Sequence, residues 1–203
     1  MRYGGNYKSY GPQYPRGIQE GNGVPADGDL WVSYSVNKED MWISRIPVPV
    51  QINASAHADD DFSKSGSIAE LTDWNIYSPL WAPVTLDGKW LRLQDKDPFD
   101  YAKVERKIPA SKELKISFDL QAGQNKGTLQ IDFLDENSIA CSRLELTPDG
   151  VFRAKGGSRF GNLMKYEPGK NYHVEAILSV TDRNIQVFVD GKRVGLRMFY
   201  APV

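Results

Sequence analysis

The 203-residue chain has one cysteine and two histidines. A lone Cys141 excludes an intramolecular disulfide and a cysteine-rich zinc site. His57 and His173 are too few and too far apart in sequence for a histidine-built zinc site. His173 sits in a strand-like run with no nucleophile motif around it, so a Ser-His-Asp arrangement has no support. Long apolar runs are also missing. The longest uncharged stretch of apolar character, Ile46 to Ala56, is about half of a membrane span and contains Pro47 and Pro49. A soluble protein with no membrane partner is expected. Lys plus Arg number 25 against 26 Asp plus Glu, a net charge of −1. With no basic field to attract phosphates, no nucleic-acid partner is expected. Residues 2–17 carry no apolar core of a signal peptide. The chain is then either cytosolic or an interior piece of a longer exported protein. Helical periodicity is absent as well, and the only helix candidates are Ile68–Thr72 and a turn near Asp100–Val104.

What remains is an ordinary globular composition, with 40% hydrophobic and 25% charged residues, which rules out wholesale disorder. The length allows one or two domains. The two halves differ in texture. All five Trp (Trp31, Trp42, Trp74, Trp81 and Trp90) precede residue 101, and Met1–Asp29 holds seven of the 18 Gly. Gly and Pro at that density prevent a regular helix, so this stretch reads as an irregular arm whose tyrosines pack on something. Leu30–Val36 and Met41–Ile46 alternate β-branched and aromatic residues around the polar turn Asn37-Lys38-Glu39-Asp40, a hairpin signal. Pro47-Val48-Pro49-Val50 then reads as a sheet edge or an extended exit. Residues 53–67 look like a boundary, giving an expected division into 1–55 and 56–203.

From Trp90 onward, alternation with a period of two dominates. Leu114, Ile116, Phe118 and Leu120 share one face, as do Leu129, Ile131 and Phe133. Leu144 and Leu146 follow, then Tyr172, Val174, Ala176, Leu178 and Val180, and finally Ile185, Val187 and Val189. Asp87-Gly88, Asp149-Gly150 and Asp190-Gly191 fall between such runs, where Gly supplies the positive φ of a tight hairpin. One inward face per strand predicts an all-β, two-sheet antiparallel jelly-roll sandwich, preceded by the irregular arm and the β-hairpin.

The alternating strand Glu113–Gln121, Leu144-x-Leu146-Thr-Pro-Asp149-Gly150-x-Phe152, Tyr172-His-Val174-Glu-Ala176 and Val187-Phe-Val189-Asp190-Gly191-Lys192 resemble concanavalin A-like modules. These lectin/glucanase and laminin-G-like jelly rolls are appended to carbohydrate-active enzymes, and the resemblance covers about Asp61 to Val194. Gly21-Asn22-Gly23, Asp29–Ser35 and Asn37–Arg45 are similar to the last blade of sialidase-like β-propellers, although no intact Asp-box is present. The resemblance implies the C-terminal part of a bacterial glycosidase-like protein, extracellular or periplasmic, with a missing N-terminal propeller as a packing partner.

Candidate sites follow from chemistry. Jelly-roll glycosidases carry Glu-x-Asp-x-x-Glu on one strand. Here the nearest match is Gln130-Ile131-Asp132-Phe133-Leu134-Asp135, and an amide at Gln130 cannot act as nucleophile. No catalytic residue is assigned, and this chain alone is expected to be inactive. Trp74, Tyr77, Trp81 and Trp90 flank Pro79 and Pro83 and are candidates for stacking on sugars. The plainer alternative is that they cover one end of the sandwich. Arg16 and Glu20 are candidates for engaging a sugar carboxylate in a propeller site, against a surface ion pair on a Gly-rich loop. Asp59–Asp61 and Asp95, Asp97 and Asp100 offer oxygen ligands of the kind Ca²⁺ takes. Neither cluster matches an EF-hand, turn and cap carboxylates explain both, and no cofactor is assigned. Gly156–Gly161 lacks the strand-to-helix crossover of a phosphate loop and reads as a mobile connection. The expected function is a non-catalytic, carbohydrate-associated module that binds glycan or braces a larger enzyme. The alternatives are part of an exo-acting glycosidase that lends Arg16 and Glu20 to its site, and a purely structural or adhesive sandwich.

Overall fold

The computed structural model describes residues 12–18, 29–36, 40–47, 57–96, 98, 101–123, 125–135 and 137–199. Glu20, Asp97 and Asp100 lie outside them. Regular structure among the described residues is β, apart from two one-turn 3-10 helices at Phe62–Lys64 and Ile68–Glu70. The contacts divide the chain into two compact units, Met1–Pro109 and Ala110–Val203.

In the first unit, β1 (Pro12–Ile18), β2 (Asp29–Val36) and β3 (Asp40–Pro47) form an antiparallel sheet in that order. The expected hairpin is β2–β3, with Leu30 opposite Ile46 and Val36 opposite Asp40. The arm is less irregular than its composition suggests, because Pro12–Ile18 adds an edge strand to that hairpin. Proline is tolerated there for two reasons. An edge strand needs hydrogen bonds on only one side, and the register breaks between Gln13 and Arg16, so Pro15 sits in the irregularity. Tyr14, at φ 51°, makes the bend.

Two ribbons complete this unit. β4 (Trp74–Tyr77) pairs with β7 (Lys103–Arg106), and β5 (Val84–Asp87) pairs with β6 (Trp90–Leu93). The helix expected at Ile68–Thr72 is a single 3-10 turn, with the Leu71 amide donating to the Ile68 carbonyl. Ile68 and Leu71 are its only large apolar residues, and their i,i+3 spacing suits 3-10 geometry without an amphipathic stripe to carry the helix further. The turn expected near Val104 is also corrected. Val104 lies in β7 opposite Ile76, a partner 28 residues upstream that local sequence does not reveal.

The second unit is the sandwich. One sheet runs β12 (Arg159–Lys165), β11 (Val151–Gly156), β10 (Ala140–Leu146), β9 (Leu129–Leu134). The other runs β15 (Lys192–Met198), β14 (Asn184–Val189), β13 (Asn171–Ser179), β8 (Glu113–Gln121). All pairings are antiparallel. The alternating residues face each other across the two sheets as expected. Leu144, Leu146, Phe152, Val174, Leu178, Ile185 and Val187 are buried, with Leu114, Ile116, Phe118 and Leu120 packed against them. Full burial of each aliphatic side chain stabilises by roughly 1.5–3 kcal/mol. The Asp190-Gly191 turn has both residues at positive φ, 49° and 77°, which suits a two-residue hairpin.

Gly156–Gly161 is not a mobile connection. Gly156 pairs with Arg159 around the two-residue turn Gly157-Ser158, so the segment is the tip of a hairpin. Its glycines do structural work. A Cβ on Gly156 would overlap the Met198 carbonyl of β15, and one on Gly161 would overlap the Arg197 guanidinium. The two sheets therefore close along this edge because these positions have no side chain.

Candidate functional site

The aromatic candidates lie on the ribbons of the first unit, and the structure does not gather them into one platform. Trp74 starts β4, where its ring meets Phe62 at 5.7 Å and the Arg106 guanidinium at 5.8 Å. Arg106 approaches Asp60 and Asp73, each at 3.2 Å, so the cluster ties the Asp60–Asp73 segment to β7. Tyr77 packs against Tyr101 at 5.7 Å. Trp81 and Trp90 belong to opposite ends of the β5–β6 ribbon. Trp90 stands beside the Asp87–Lys89 turn under the Lys89 ammonium, while Trp81 is at the open end, where its carbonyl accepts from the Lys96 amide. Trp81 is 51% exposed.

Arg16 is exposed on β1, and its carbonyl meets the Ser33 hydroxyl at 3.5 Å. The acidic clusters are engaged locally. Asp61 caps the first 3-10 turn by accepting from the Ser63 amide and hydroxyl, which hold its carboxyl below the usual range. Asp135 accepts from the Asn137 and Ile139 amides and so shapes the β9–β10 turn. Among the described residues no three His, Cys, Asp or Glu side chains converge as a metal site.

The arrangement with chemical potential is the outward face of β9–β12. The register sets two rows across the four strands. One row is Asp132, Arg143, Lys155 and Phe160; the next is Gln130, Glu145, Arg153 and Asn162. Their even-period neighbours fill the core, which sends these side chains the other way. Strand spacing makes each row about 14 Å long, with about 7 Å between rows.

Polar contacts knit the rows together. Arg143 donates from Nε and Nη2 to both oxygens of Asp132, the second bond at 2.8 Å. That bidentate bond raises the Arg143 pKa further above its ordinary value. Glu145 accepts from Gln130 Nε2 at 3.2 Å and from Arg153 Nε at 2.8 Å. Although it stands on the outward face, Glu145 is only 4% exposed. The Arg153 guanidinium in turn lies 4.1 Å from the Phe160 ring centroid, with the Lys155 ammonium at 5.5 Å. Phe160 remains 38% exposed. The face thus presents an aromatic ring beside fixed, planar hydrogen-bonding groups, and the carboxylates that could repel an anion are each held by an arginine.

Sequence reasoning placed Gln130 and Asp132 on a solvated strand but missed Arg143, Glu145, Arg153 and Phe160. The signal was present as alternating polar positions on three successive strands. Only the register shows that they align.

Two packed antiparallel sheets with a polar, aromatic-bearing outer face define a β-sandwich module. A family model described as "Sialidase-like, CBM domain" matches residues 74–203, well over half of the chain, and the chain belongs to that family. A solved structure titled "Sialidase" matches with a TM-score of 0.80 and 89% sequence identity over 100% of this chain. The chain spans 19% of the length of that sialidase, at its C-terminal end. No curated protein matches.

Proposed function

We propose that this chain is a non-catalytic glycan-binding module within a larger, exported sialidase-like protein, working in the extracellular or periplasmic space. The observation that carries the reading is the outward face of β9–β12, where Phe160 lies against Arg153 of the Glu145–Arg153 pair and the Asp132–Arg143 pair stands farther along the same surface. Sugars offer an apolar ring face to an aromatic and hydroxyls to fixed polar groups, and this surface supplies both. Membership of the sialidase-like CBM family supports the same conclusion. The test is a glycan array probed with the 203-residue chain, followed by titration of the best glycan against Phe160→Ala. Saturable binding that weakens about tenfold or more in the variant is expected, the loss of a contact worth about 1.4 kcal/mol. A blank array would overturn the proposal.

A second reading, bracing of the larger protein, rests on a separate observation. In the β1–β3 sheet, Met41 and Ile43 point to one face and Trp42 to the other, and all three are exposed. A sheet that offers apolar side chains on both faces suits a layer covered on both sides. Its partner on this reading is the remainder of the larger chain.

A further inference from the structure

We propose, on the basis of the glycan-binding reading, that the β11–β12 half of this face selects an anionic sugar. The sugar ring lies over Phe160, and its oxyanion meets the Lys155 ammonium and the free edge of the Arg153 guanidinium.

Charge distribution is the first argument. The whole chain is close to neutral, at −1. Yet Val151–Lys165, the β11–β12 hairpin, contains Arg153, Lys155, Arg159 and Lys165 and no Asp or Glu. The adjacent edge strand continues the pattern, since Lys192–Met198 contains Lys192, Arg193 and Arg197 and again no acid. A near-neutral protein that segregates its cations at one edge creates a local field attractive to anions.

The second argument is what each charge already does. Asp132 is taken by Arg143 and Glu145 by Arg153, while Asp149, near enough to feel the Arg153 charge, accepts from the Thr147 hydroxyl. Lys155 has no ion pair among the described residues, and its ammonium points toward the Phe160 ring. Arg153 gives Nε and Nη2 to Glu145, leaving Nη1 uncommitted. A cation held beside an exposed ring, with its neighbouring acids already satisfied, is an incomplete ion pair. A charged substituent on a stacked sugar completes it.

The third argument is rigidity. Arg153 is held by Glu145, and Glu145 is buried and held from its other side by Gln130. The β12 strand that carries Phe160 is tied to the second sheet at Gly161, which lies under Arg197, and Arg197 Nη2 donates to the Asn162 carbonyl of β12 at 3.5 Å. Little side-chain freedom is then lost on binding.

A carboxylate and a sulfate ester present the same oxyanion chemistry, so the test separates them. The 203-residue chain is titrated by calorimetry with three oligosaccharides of one backbone: neutral, uronate-bearing and O-sulfated. At low salt the anionic ligands should bind at least tenfold more tightly than the neutral one. That preference should shrink at about 0.5 M salt, where the screening length falls to a few ångströms. Lys155→Ala should remove the preference, Lys155→Arg should keep it, and Phe160→Ala should weaken all three. Tighter binding of the uronate assigns the group as a carboxylate, and tighter binding of the sulfated ligand assigns it as a sulfate. If the neutral sugar binds as tightly as the others, or Lys155→Ala keeps the preference, the anionic assignment is overturned while the glycan-binding reading stands. If binding is lost in Trp81→Ala and kept in Phe160→Ala, the site lies on the β5–β6 ribbon instead and this proposal falls. If none of the three binds and a broad array is blank, both readings fail.

Discussion

Glu145 stands at a position where strand alternation sends a side chain away from the core, yet it is buried. Its neighbours explain this. Gln130 on one side and Arg153 on the other close over the carboxylate, and each supplies a hydrogen bond that replaces water. Period alone predicts which way a side chain points, but not whether solvent reaches it. Cys141 makes the complementary case. It lies in a bulged part of β10, where the register shifts between Ala140 and Ser142, and so joins the core beside Phe133. Burial pushes its thiol pKa up from 9.0 to about 11. The thiol is therefore neutral in the folded state at pH values where the unfolded chain would ionise it. Its contribution to stability is complete below pH 9.0 and is lost as pH rises toward about 11. Denaturant melts of the native chain and of Cys141→Ala between pH 8 and 11 check this. The native chain should lose stability more steeply with pH than the variant, and parallel curves would contradict the burial argument. Ellman's reagent should modify the native thiol slowly and the unfolded chain fast.

Among the strands, those with clean alternation were legible: β8, β9, β13 and β14 fall where their apolar periods place them. The Asp-Gly turns did as well, because a positive φ is a local demand. Among those that escaped were β1, β7 with its partner β4, and β12, each for a stated reason. β1 hides behind two prolines that only an edge position tolerates. β7 takes its meaning from β4, far away in sequence. Residues 156–161, which lead into β12, hold three glycines, and a neighbouring strand presses on Gly156 and Gly161, which in a bare sequence looks like looseness. The same close approach makes an ordered prediction. Gly156→Ala should destabilise more than Gly161→Ala. The first places a methyl on the Met198 backbone carbonyl, and the second meets the movable end of Arg197. Overpacking of this kind costs about 1–3 kcal/mol, with Gly156→Ala at the upper end. Thermal melts of the two variants decide it, and a reversed order would mean that the β15 backbone yields more easily than the arginine.

Across the entire chain, the family match and the contacts draw different lines. The match begins at Trp74, whereas compactness divides the chain at Pro109, so β4 to β7 belong by family with the sandwich and by contact with the preceding residues. The division at residues 55 and 56 expected from composition remains our proposal for where the larger fold ends. The bracing reading is tested by comparing surfaces. A hydrophobic dye should bind the 203-residue chain, and Met41→Ser/Trp42→Ser/Ile43→Ser should reduce its signal by half or more. The full sialidase-like protein should bind little dye at this sheet, with Trp42 shielded from aqueous quenchers. Equal quenching of Trp42 in the isolated chain and the full protein would rule bracing out.

The order of amino acids by itself settled that the C-terminal part is a two-sheet antiparallel sandwich and that the single cysteine leaves no intramolecular disulfide. Alternation, turn glycines and the scarcity of cysteine act within a few residues of one another. Tertiary structure alone decided the surface that we propose a sugar meets. Asp132, Arg143, Lys155 and Phe160 lie on four separate strands, and only hydrogen-bonded register brings them into one row. A shift of one residue in any strand would turn its side chain into the core and break that row.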